Sequence, residues 1–282
     1  MRGLKFIVVW LLTLGCACAA STSSQTPIRV GIVPHSSPRL LFESHVDVKL
    51  FLEAHFKRDV QIVTAKSFHE FAKLTNAGTA YDLIITSSHL ALLAHTQASY
   101  QPFMSYTHGI EIAIVSREEG VLSASKRPLH VGAQGDVSLS TLLAEEWLAS
   151  KGLREGKDVV YHYDISASDA LALTLTKGAV DMVVMSWPNY LGLDDAFKKS
   201  TSVVYKSPSL PYTRTYAAKE GNGISLVQWE VALRALSLSA EGKKHLDVVQ
   251  LGQFRMLSLD DLRGLESAAS KTFDRLNHEE KR

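Results

Sequence analysis

Cysteine is almost absent from this chain. The only two cysteines, Cys16 and Cys18, lie close to the N-terminus, and the long remainder of the sequence contains none. A disulfide framework, a thiolate nucleophile and a cysteine-ligated metal are therefore excluded for everything that follows Cys18.

An excess of charge of one sign and long apolar runs are also missing. The chain has 30 basic and 29 acidic residues, which give a formal net charge of +1. A nucleic-acid-binding protein normally carries a basic face, so this balance predicts no nucleic-acid partner. Beyond the N-terminal segment, no apolar run approaches the roughly 18 residues of a membrane-spanning helix.

The sequence motifs of catalysis are missing as well. The chain has no Gly-x-Ser-x-Gly elbow, no Walker loop, no Gly-x-Gly-x-x-Gly turn and no His-Glu-x-x-His helix. Its 11 histidines are never four residues apart, so no two of them can hold a metal from one helix face. We expect no enzyme activity, no catalytic residue, no metal and no cofactor.

Residues 1–19 have the three parts of an export signal. Arg2 and Lys5 form a basic start, residues 6–14 form an apolar stretch too short to span a bilayer, and Ala17 and Ala19 provide small residues for cleavage. The segment predicts export to the periplasm.

A lipoprotein signal is the alternative for the same segment. Leu14 and Gly15 precede Cys16 much as in bacterial lipoprotein signals, although Thr13 stands where an aliphatic residue is usual. The exported protein is then either soluble or anchored to lipid through Cys16, and both alternatives stay open.

One short pattern occurs twice in the chain. Gly78 and Gly178 each follow a helix-like stretch, and Asp82 and Asp181 each open a continuously apolar strand. Ligands of open α/β sheets bind beyond the carboxyl ends of the strands. Two such ends, one in each of two lobes, predict a cleft. Small hydroxyl residues follow both strands at Thr86, Ser87, Ser88 and Ser186.

Strand and helix patterns alternate along the chain, as in parallel sheets covered by helices. Expected strands are residues 28–33, 60–64 and 82–86 in one unit, and 129–133, 159–163 and 181–185 in a second unit. Expected helices are residues 40–56, 68–75, 139–151, 167–177, 226–238, 240–249 and 259–276. The last three helices are expected to pack on the first unit without adding strands.

Two further strands are expected at residues 110–117 and 214–219, and we interpret them as crossovers between the units. The predicted fold is therefore α/β with two lobes, and the two crossover strands form a hinge. Lobe 1 is expected to comprise residues 27–112 with 217–282, and lobe 2, residues 113–216, is inserted in it.

Three Ser-rich helix starts follow predicted strands, at residues 86–88, 138–141 and 166–168. Free N–H groups and the positive end of the dipole make such a start an anion site that needs no Lys or Arg. The alternative is an ordinary N-cap with serines facing solvent. We expect the starts to converge, with Ser87 and Ser140 facing one gap.

Other candidates lie near the same sheet edge. His35 follows the first strand and could donate to an anion or titrate near neutral pH, although a lone loop histidine is often only solvated. Trp187 is either an aromatic wall for a ligand or a packed core residue. Arg214 either faces the ligand or pairs with a carboxylate. The candidate ligand-binding residues are His35, Ser36, Thr86, Ser87, Ser88, Ser138, Ser140, Thr141, Ser168, Ser186 and Trp187.

Four segments, in their order and spacing, carry a family resemblance: residues 29–32, 80–85, 206–211 and 252–255. Through them, roughly residues 28–265 resemble the phosphate/phosphite/phosphonate-type periplasmic solute-binding proteins of ABC importers. The resemblance implies a type II periplasmic-binding-protein fold.

The resemblance also bears on the site. In that family a Ser-Thr-Ser helix start holds the phosphonate oxygens, and the matching residues here are Ser138, Leu139 and Ser140, which lack the middle hydroxyl. A family histidine falls on Ser168, and the family's amine-binding acidic residues have no match between residues 186 and 192. The resemblance therefore implies an anion cradle without an aminophosphonate pocket.

The expected function is capture of a small anionic solute, phosphate-like or phosphonate-like, between the lobes for an ABC permease in the inner membrane. The protein is expected to be a monomer. One alternative is a ligand-sensing accessory protein of a membrane receptor, with the same fold and no transport role. The other is an enzyme, which would need an acid/base pair such as His35 beside Ser87.

Overall fold

The computed structural model describes residues 26–123, 127–165, 168–210 and 214–279. The expected export signal, residues 1–19, lies outside this part of the chain, and so does Cys16. None of the helices in the described ranges has the length and apolar character needed to cross a bilayer.

The strands and helices alternate along most of the chain, as the sequence predicts. The strands are β1 (Ile28–Ile32), β2 (Val60–Val63), β3 (Leu83–Ser87), β4 (Gln101–Tyr106), β5 (Ile112–Ser116), β6 (Leu129–Gly132), β7 (Val159–His162), β8 (Met182–Ser186), β9 (Ser202–Lys206), β10 (Arg214–Ala218) and β11 (Phe254–Met256). The α-helices are α1 (Pro38–Phe56), α2 (Phe68–Asn76), α3 (Ser88–Ala98), α4 (Leu139–Ser150), α5 (Ser168–Thr176), α6 (Trp187–Leu191), α7 (Asp195–Lys199), α8 (Leu226–Leu238), α9 (Ala240–Val249) and α10 (Glu266–Glu279). Short 3₁₀ turns cover Val121–Ser123 and Leu259–Leu265.

The strands form two mixed sheets. The first has the order β11-β4-β10-β3-β1-β2, and the second has the order β7-β6-β8-β5-β9. β1 pairs in parallel with β2 and β3, and β6 pairs in parallel with β7 and β8. Apolar residues on both faces of β3 and β8 are buried because helices cover both sides of each sheet. The α/β class with two lobes is confirmed.

The repeated Gly and Asp pattern has the same structural role in both sheets. Gly78 and Gly178 adopt positive φ angles of 70° and 73°, a conformation that ends a helix easily only at glycine. The Asp82 carboxylate accepts a hydrogen bond of 2.7 Å from the backbone N–H of Arg29 in β1. Asp181 accepts one of 2.8 Å from the N–H of His130 in β6. Each aspartate therefore fixes the start of its strand against the neighbouring strand.

The two expected crossover strands each pair within one sheet. β5 pairs with β8 and β9 in the second sheet, and β10 pairs with β3 and β4 in the first. The segments that connect the lobes meet at Ile110, the first residue of one expected crossover strand, and at Leu210, just before the other. These two residues exchange antiparallel hydrogen bonds of 2.8 and 2.9 Å.

The sheets also divide the chain a few residues away from the expected lobe boundaries. Ile112 pairs with Ser186 in the second sheet, and Arg214 pairs with Ser87 in the first. Alternating apolar residues predict a strand, but they do not show with which strand it pairs. The sequence pattern therefore could not locate the residues at which one sheet ends and the other begins.

The C-terminal part departs from the prediction in one respect. It contributes a strand, β11, which pairs with β4 at the edge of the first sheet, so the expectation of a tail without strands is wrong. α8 and α9 have the expected bounds. The final expected helix begins as the 3₁₀ turn Leu259–Leu265 and continues as α10, which packs on α3 through Ala269 and Leu276.

Candidate functional site

A cavity of about 190 Å³ lies between the two lobes, and we call it the inner cavity. Residues near the carboxyl ends of β1, β3, β6 and β8 contribute to its wall, as expected for a ligand site in an open α/β fold. The first sheet and its helices contribute Val33, His35, Phe68, Ser87, Arg214, Val249 and the adjacent Leu251. The second sheet and its helices contribute Gln134, Ser138, Leu139, Ser140, Ser186, Pro188 and Asn189, and the connecting segment contributes Gly109 and Ile110.

A wider groove of about 650 Å³ adjoins the inner cavity, and we call it the outer groove. The two spaces share His35, Pro188 and Asn189. Ser36 and Ser168 line the outer groove and do not reach the wall of the inner cavity. The inner cavity therefore lies within a longer cleft between the lobes.

The start of α3 presents Ser87 to the inner cavity. Ser87 is the N-cap residue, but its side chain makes no capping hydrogen bond. The first N–H groups of a helix have no partner within that helix. The Ser87 hydroxyl and N–H groups that have no partner within the helix therefore come from the same turn of the first lobe.

The start of α4 faces the same space from the second lobe. Ser138 caps this helix by accepting a hydrogen bond of 3.3 Å from the N–H of Thr141, and the two hydroxyl oxygens lie 2.8 Å apart. Ser140 follows at the second helical position and lines the inner cavity. Ser138 is thus partly engaged by its own helix, whereas the Ser140 hydroxyl has no hydrogen bond within the described part of the chain.

The end of β8 completes the second-lobe wall. Ser186 caps α6 by accepting from the N–H of Asn189 at 3.4 Å, and the Asn189 amide donates to the hydroxyl of Ser168 at 2.8 Å. Ser186 and Asn189 both line the inner cavity. These bonds hold Asn189 at the border with the outer groove.

Arg214 adds a cation that the Ser-based prediction did not need. It lies at the start of β10, opposite Ser87 in β3, and it lines the inner cavity. Its guanidinium makes no ion pair or hydrogen bond with any described residue, so the expected alternative of a carboxylate partner is not found there. Burial lowers the pKa of Arg214 from its usual value, and the group stays charged because an arginine does not deprotonate in proteins.

His35 lies on the same wall and is neutral near neutral pH. Burial, with the charge of Arg214 as a second cause, holds the pKa of His35 well below its usual value. Its Nδ1 lies 2.9 Å from the carbonyl oxygen of Val33. A carbonyl only accepts, so Nδ1 carries the proton and Nε2 is left as an acceptor.

A buried polar cluster lies close to Arg214. The hydroxyls of Tyr106 and Tyr216 are 2.7 Å apart, and they lie 2.6 and 3.0 Å from Nε2 of His245. Nδ1 of His245 donates to the carbonyl oxygen of Ser44 at 2.7 Å. Burial lowers the pKa of His245 to about 4 and raises the pKa of Tyr106 to about 12. The cluster is therefore uncharged and supplies no counter-ion to Arg214.

The family model described as the periplasmic substrate-binding protein of phosphonate ABC transporters matches residues 30–262. The chain belongs to this family. Members of the phosphonate-binding family are substrate-binding components of importers, so this chain has a solute-binding role for an ABC importer and belongs to a periplasmic family. No curated protein sequence matches the chain.

Solved structures of phosphonate-binding proteins share the fold. A binding-protein component of an ABC phosphonate transporter from Pseudomonas aeruginosa has a TM-score of 0.71 at 19% identity, with 89% of each chain covered. The methylphosphonate complex of PhnD1 from Prochlorococcus marinus has a TM-score of 0.70 at 14% identity, covering 86% of this chain and 97% of that one. A Xanthomonas citri protein bound to ATP has a TM-score of 0.68 at 15% identity, covering 89% and 98%. The type II periplasmic-binding-protein fold is confirmed.

Not all candidate residues of this family member reach the cleft. His35, Ser87, Ser138, Ser140 and Ser186 line the inner cavity. Four others lie elsewhere. Thr86 and Thr141 are buried, Ser88 lies 2.9 Å from the hydroxyl of Thr215, and Trp187 stacks on Tyr190 beneath the ammonium of Lys206.

These four side chains do not face the cleft because of the directions in which their backbone positions point them. Neighbouring residues of a strand point to opposite faces, so Thr86 points away when Ser87 faces the ligand side. Ser88 and Thr141 occupy helical positions that turn into the protein interior. A sequence pattern shows that hydroxyls cluster at a strand end but does not show which of them faces the gap.

Proposed function

We propose that this protein captures a small oxyanion of the phosphate or phosphonate type in the inner cavity and presents it to an ABC permease. The observation that carries the proposal is the wall shared by two helix starts from different lobes, with Ser87 on one side and Ser140 on the other. Free N–H groups at helix starts suit an anion.

Contacts from both lobes also explain how a ligand could drive closure. A ligand shifts a conformational equilibrium only by binding one state better than the other. An anion that touches Ser87 and Ser140 together gains both sets of contacts only when the lobes are close. The closed, loaded form is then the form that a permease distinguishes from the empty protein.

The size of the inner cavity favours a compact ligand. At about 190 Å³ it is smaller than the usual 300–1,000 Å³ range of drug-sized ligand sites. The related Prochlorococcus protein was solved with methylphosphonate, a ligand of this small size class. Catalysis forms no part of the proposal, and we expect the protein to work as a monomer without nucleic acid.

Export also belongs to the proposal. Residues 1–19 would direct the chain to the periplasm, as a soluble protein or as a lipoprotein attached through Cys16. Mass spectrometry of the mature protein tests this, because cleavage after Ala19 and a lipid on Cys16 give different N-termini.

A thermal-shift screen with inorganic phosphate, phosphite and methylphosphonate tests the binding function. A ligand that binds only the native state raises the apparent stability. We expect at least one anion to raise Tm, and the double variant Ser138→Ala with Ser140→Ala to lose that rise. Ser239→Ala is the matched control, since Ser239 caps α9 in the same way outside the cleft. A double variant that responds like the parent protein would contradict the placement of the site.

A further inference from the structure

Arg214 is the one charged residue among the described residues that line the inner cavity. The same lining contains no aspartate or glutamate. The only other titratable side chain there, His35, is kept neutral by burial and by Arg214 itself. Among the described residues of the lining, the positive charge of Arg214 therefore has no compensating carboxylate.

The surroundings of Arg214 do not relieve this charge. Tyr106, Tyr216 and His245 are held neutral by burial, and the pKa of His45 is lowered to about 3. An isolated charge in a poorly hydrated site is unfavourable unless it is paired. A ligand that supplies the counter-charge removes this cost, so binding of an anion is favoured over binding of a neutral solute.

The charge belongs to one lobe only. Arg214 extends from β10 of the first sheet, and the described lining residues of the second lobe are uncharged. An anion is therefore neutralised by the first lobe, and the start of α4 adds neutral hydroxyl and N–H donors when the second lobe closes on it.

The remaining wall contains apolar side chains and neutral amides. The apolar ones include Val33, Phe68, Ile110, Leu139 and Leu251, and the amides are those of Gln134 and Asn189. Such a wall accepts a short uncharged group but has no carboxylate to pair with an ammonium. In the adjoining outer groove the acidic residue Asp169 is exposed and shares that groove with Lys66.

We infer that Arg214 is the counter-ion of the ligand, and that the ligand is a compact oxyanion with a small uncharged substituent and no ammonium group. The inference rests on the proposed function and deepens it by naming the ligand class. A planar guanidinium can donate two parallel hydrogen bonds to a phosphonate or phosphite head group, which a lysine ammonium cannot do in the same geometry.

Isothermal titration calorimetry of the parent protein with two matched probes tests the ligand class. Ethylphosphonate and 2-aminoethylphosphonate differ only by the ammonium group. We expect ethylphosphonate to bind at least about 10-fold more tightly, because the ammonium would be brought beside Arg214 without a carboxylate. Equal or tighter binding of 2-aminoethylphosphonate would overturn the inference while leaving the proposed function in place.

The role of Arg214 is tested with Arg214→Gln and Arg214→Lys. We expect ethylphosphonate affinity to fall by about 100-fold in Arg214→Gln and by a smaller factor in Arg214→Lys, which keeps the charge but not the planar fork. Arg234→Gln, an exposed charge change on α8, is the matched control and should bind like the parent. Unchanged affinity in Arg214→Gln would overturn the inference.

Two outcomes separate the inference from the function on which it rests. If the parent protein binds no phosphate, phosphite or alkylphosphonate, the proposed function fails and the inference fails with it. If Arg214→Gln does not fold, the probe pair on the parent protein and Arg214→Lys still decide the inference. Far-UV circular dichroism of each variant distinguishes lost folding from lost binding.

Discussion

Arg214 is the antiparallel partner of Ser87, and both residues line the inner cavity. Directly opposed residues of an antiparallel pair have Cβ atoms about 5 Å apart and point to the same face. The sheet thus places a guanidinium beside the uncapped start of α3. We expect a single oxyanion to contact the guanidinium, the Ser87 hydroxyl and the start of that helix together.

Ser87→Ala and Ser138→Ala are expected to separate binding from stability. Ser87 makes no capping bond, so its replacement should weaken anion binding by about 10-fold and leave the free energy of unfolding nearly unchanged. Ser138 does cap α4, so its replacement should cost about 1 kcal/mol of stability as well as affinity. Calorimetric titration and urea unfolding of both variants measure the two effects. Equal loss of stability in both would contradict the difference in capping.

Anion binding is expected to weaken as the pH rises. In the free protein the pKa of His35 lies well below its usual value, and we expect a bound anion next to the ring to raise that pKa by favouring the charged imidazolium. The complex therefore holds more protons than the free protein. The gain in affinity is complete below the pKa of His35 in the free protein and is lost as the pH rises through the higher pKa of His35 in the complex.

Calorimetry in buffers of different ionisation enthalpy measures this proton uptake directly. The variant His35→Gln should take up fewer protons than the parent and show a flatter dependence of affinity on pH, apart from titration of the ligand itself. His55→Gln, on the surface of α1, is the control. The same proton uptake in His35→Gln and the parent would rule out His35 as the proton acceptor.

Glu145→Gln is expected to destabilise the arrangement of the lobes. The buried Glu145 carboxylate on α4 lies 2.8 Å from the ammonium of Lys271 and 2.7 Å from the guanidinium of Arg275, both on α10. Loss of one partner of a buried ion pair costs about 3 kcal/mol, whereas an exposed pair contributes roughly 0.5 kcal/mol. Glu230→Gln on α8, whose side chain is 43% exposed, is the matched control.

Urea unfolding compares the stability of these two variants, and small-angle scattering without ligand measures the separation of the lobes. We expect a larger radius of gyration for Glu145→Gln than for Glu230→Gln. Similar scattering and similar stability would mean that α10 does not hold the second lobe.

Asp82→Asn and Asp181→Asn test the repeated strand start. Each should cost about 1 kcal/mol, because the hydrogen bond from a backbone N–H loses its charged acceptor and becomes a weaker neutral bond. Hydrogen exchange gives the local measurement. The amide of Arg29 should lose protection in the first variant and that of His130 in the second. Loss of protection in both sheets at once would show that the two lobes unfold as one unit.

Much of the fold could be predicted because most of its strands and helices follow from local sequence patterns. The parallel strands are continuous apolar runs between helix signals, and the bounds of α8 and α9 follow from their apolar periodicity. β4, β9 and β11 were missed for local reasons. β4 is interrupted by Pro102, β9 is a half-exposed edge strand, and β11 has only three residues. Such strands exist because a neighbouring strand pairs with them.

The site was less predictable than the fold. That Ser87 and Ser140 share one cavity follows from strand ends, which the sequence shows. That Arg214 lies opposite Ser87 depends on the strand order and register of the sheet, which place β10 beside β3. No spacing in the sequence encodes that contact, and only the cavity shows that a carboxylate is missing.

The mutual backbone bonds of Ile110 and Leu210 couple the two connections between the lobes. Two independent connecting segments would allow the lobes to twist and slide as well as to open and close. Because these segments are tied together, we expect them to flex in unison, which would leave the lobes essentially one pivot. We expect capture and release to follow a single path for that reason.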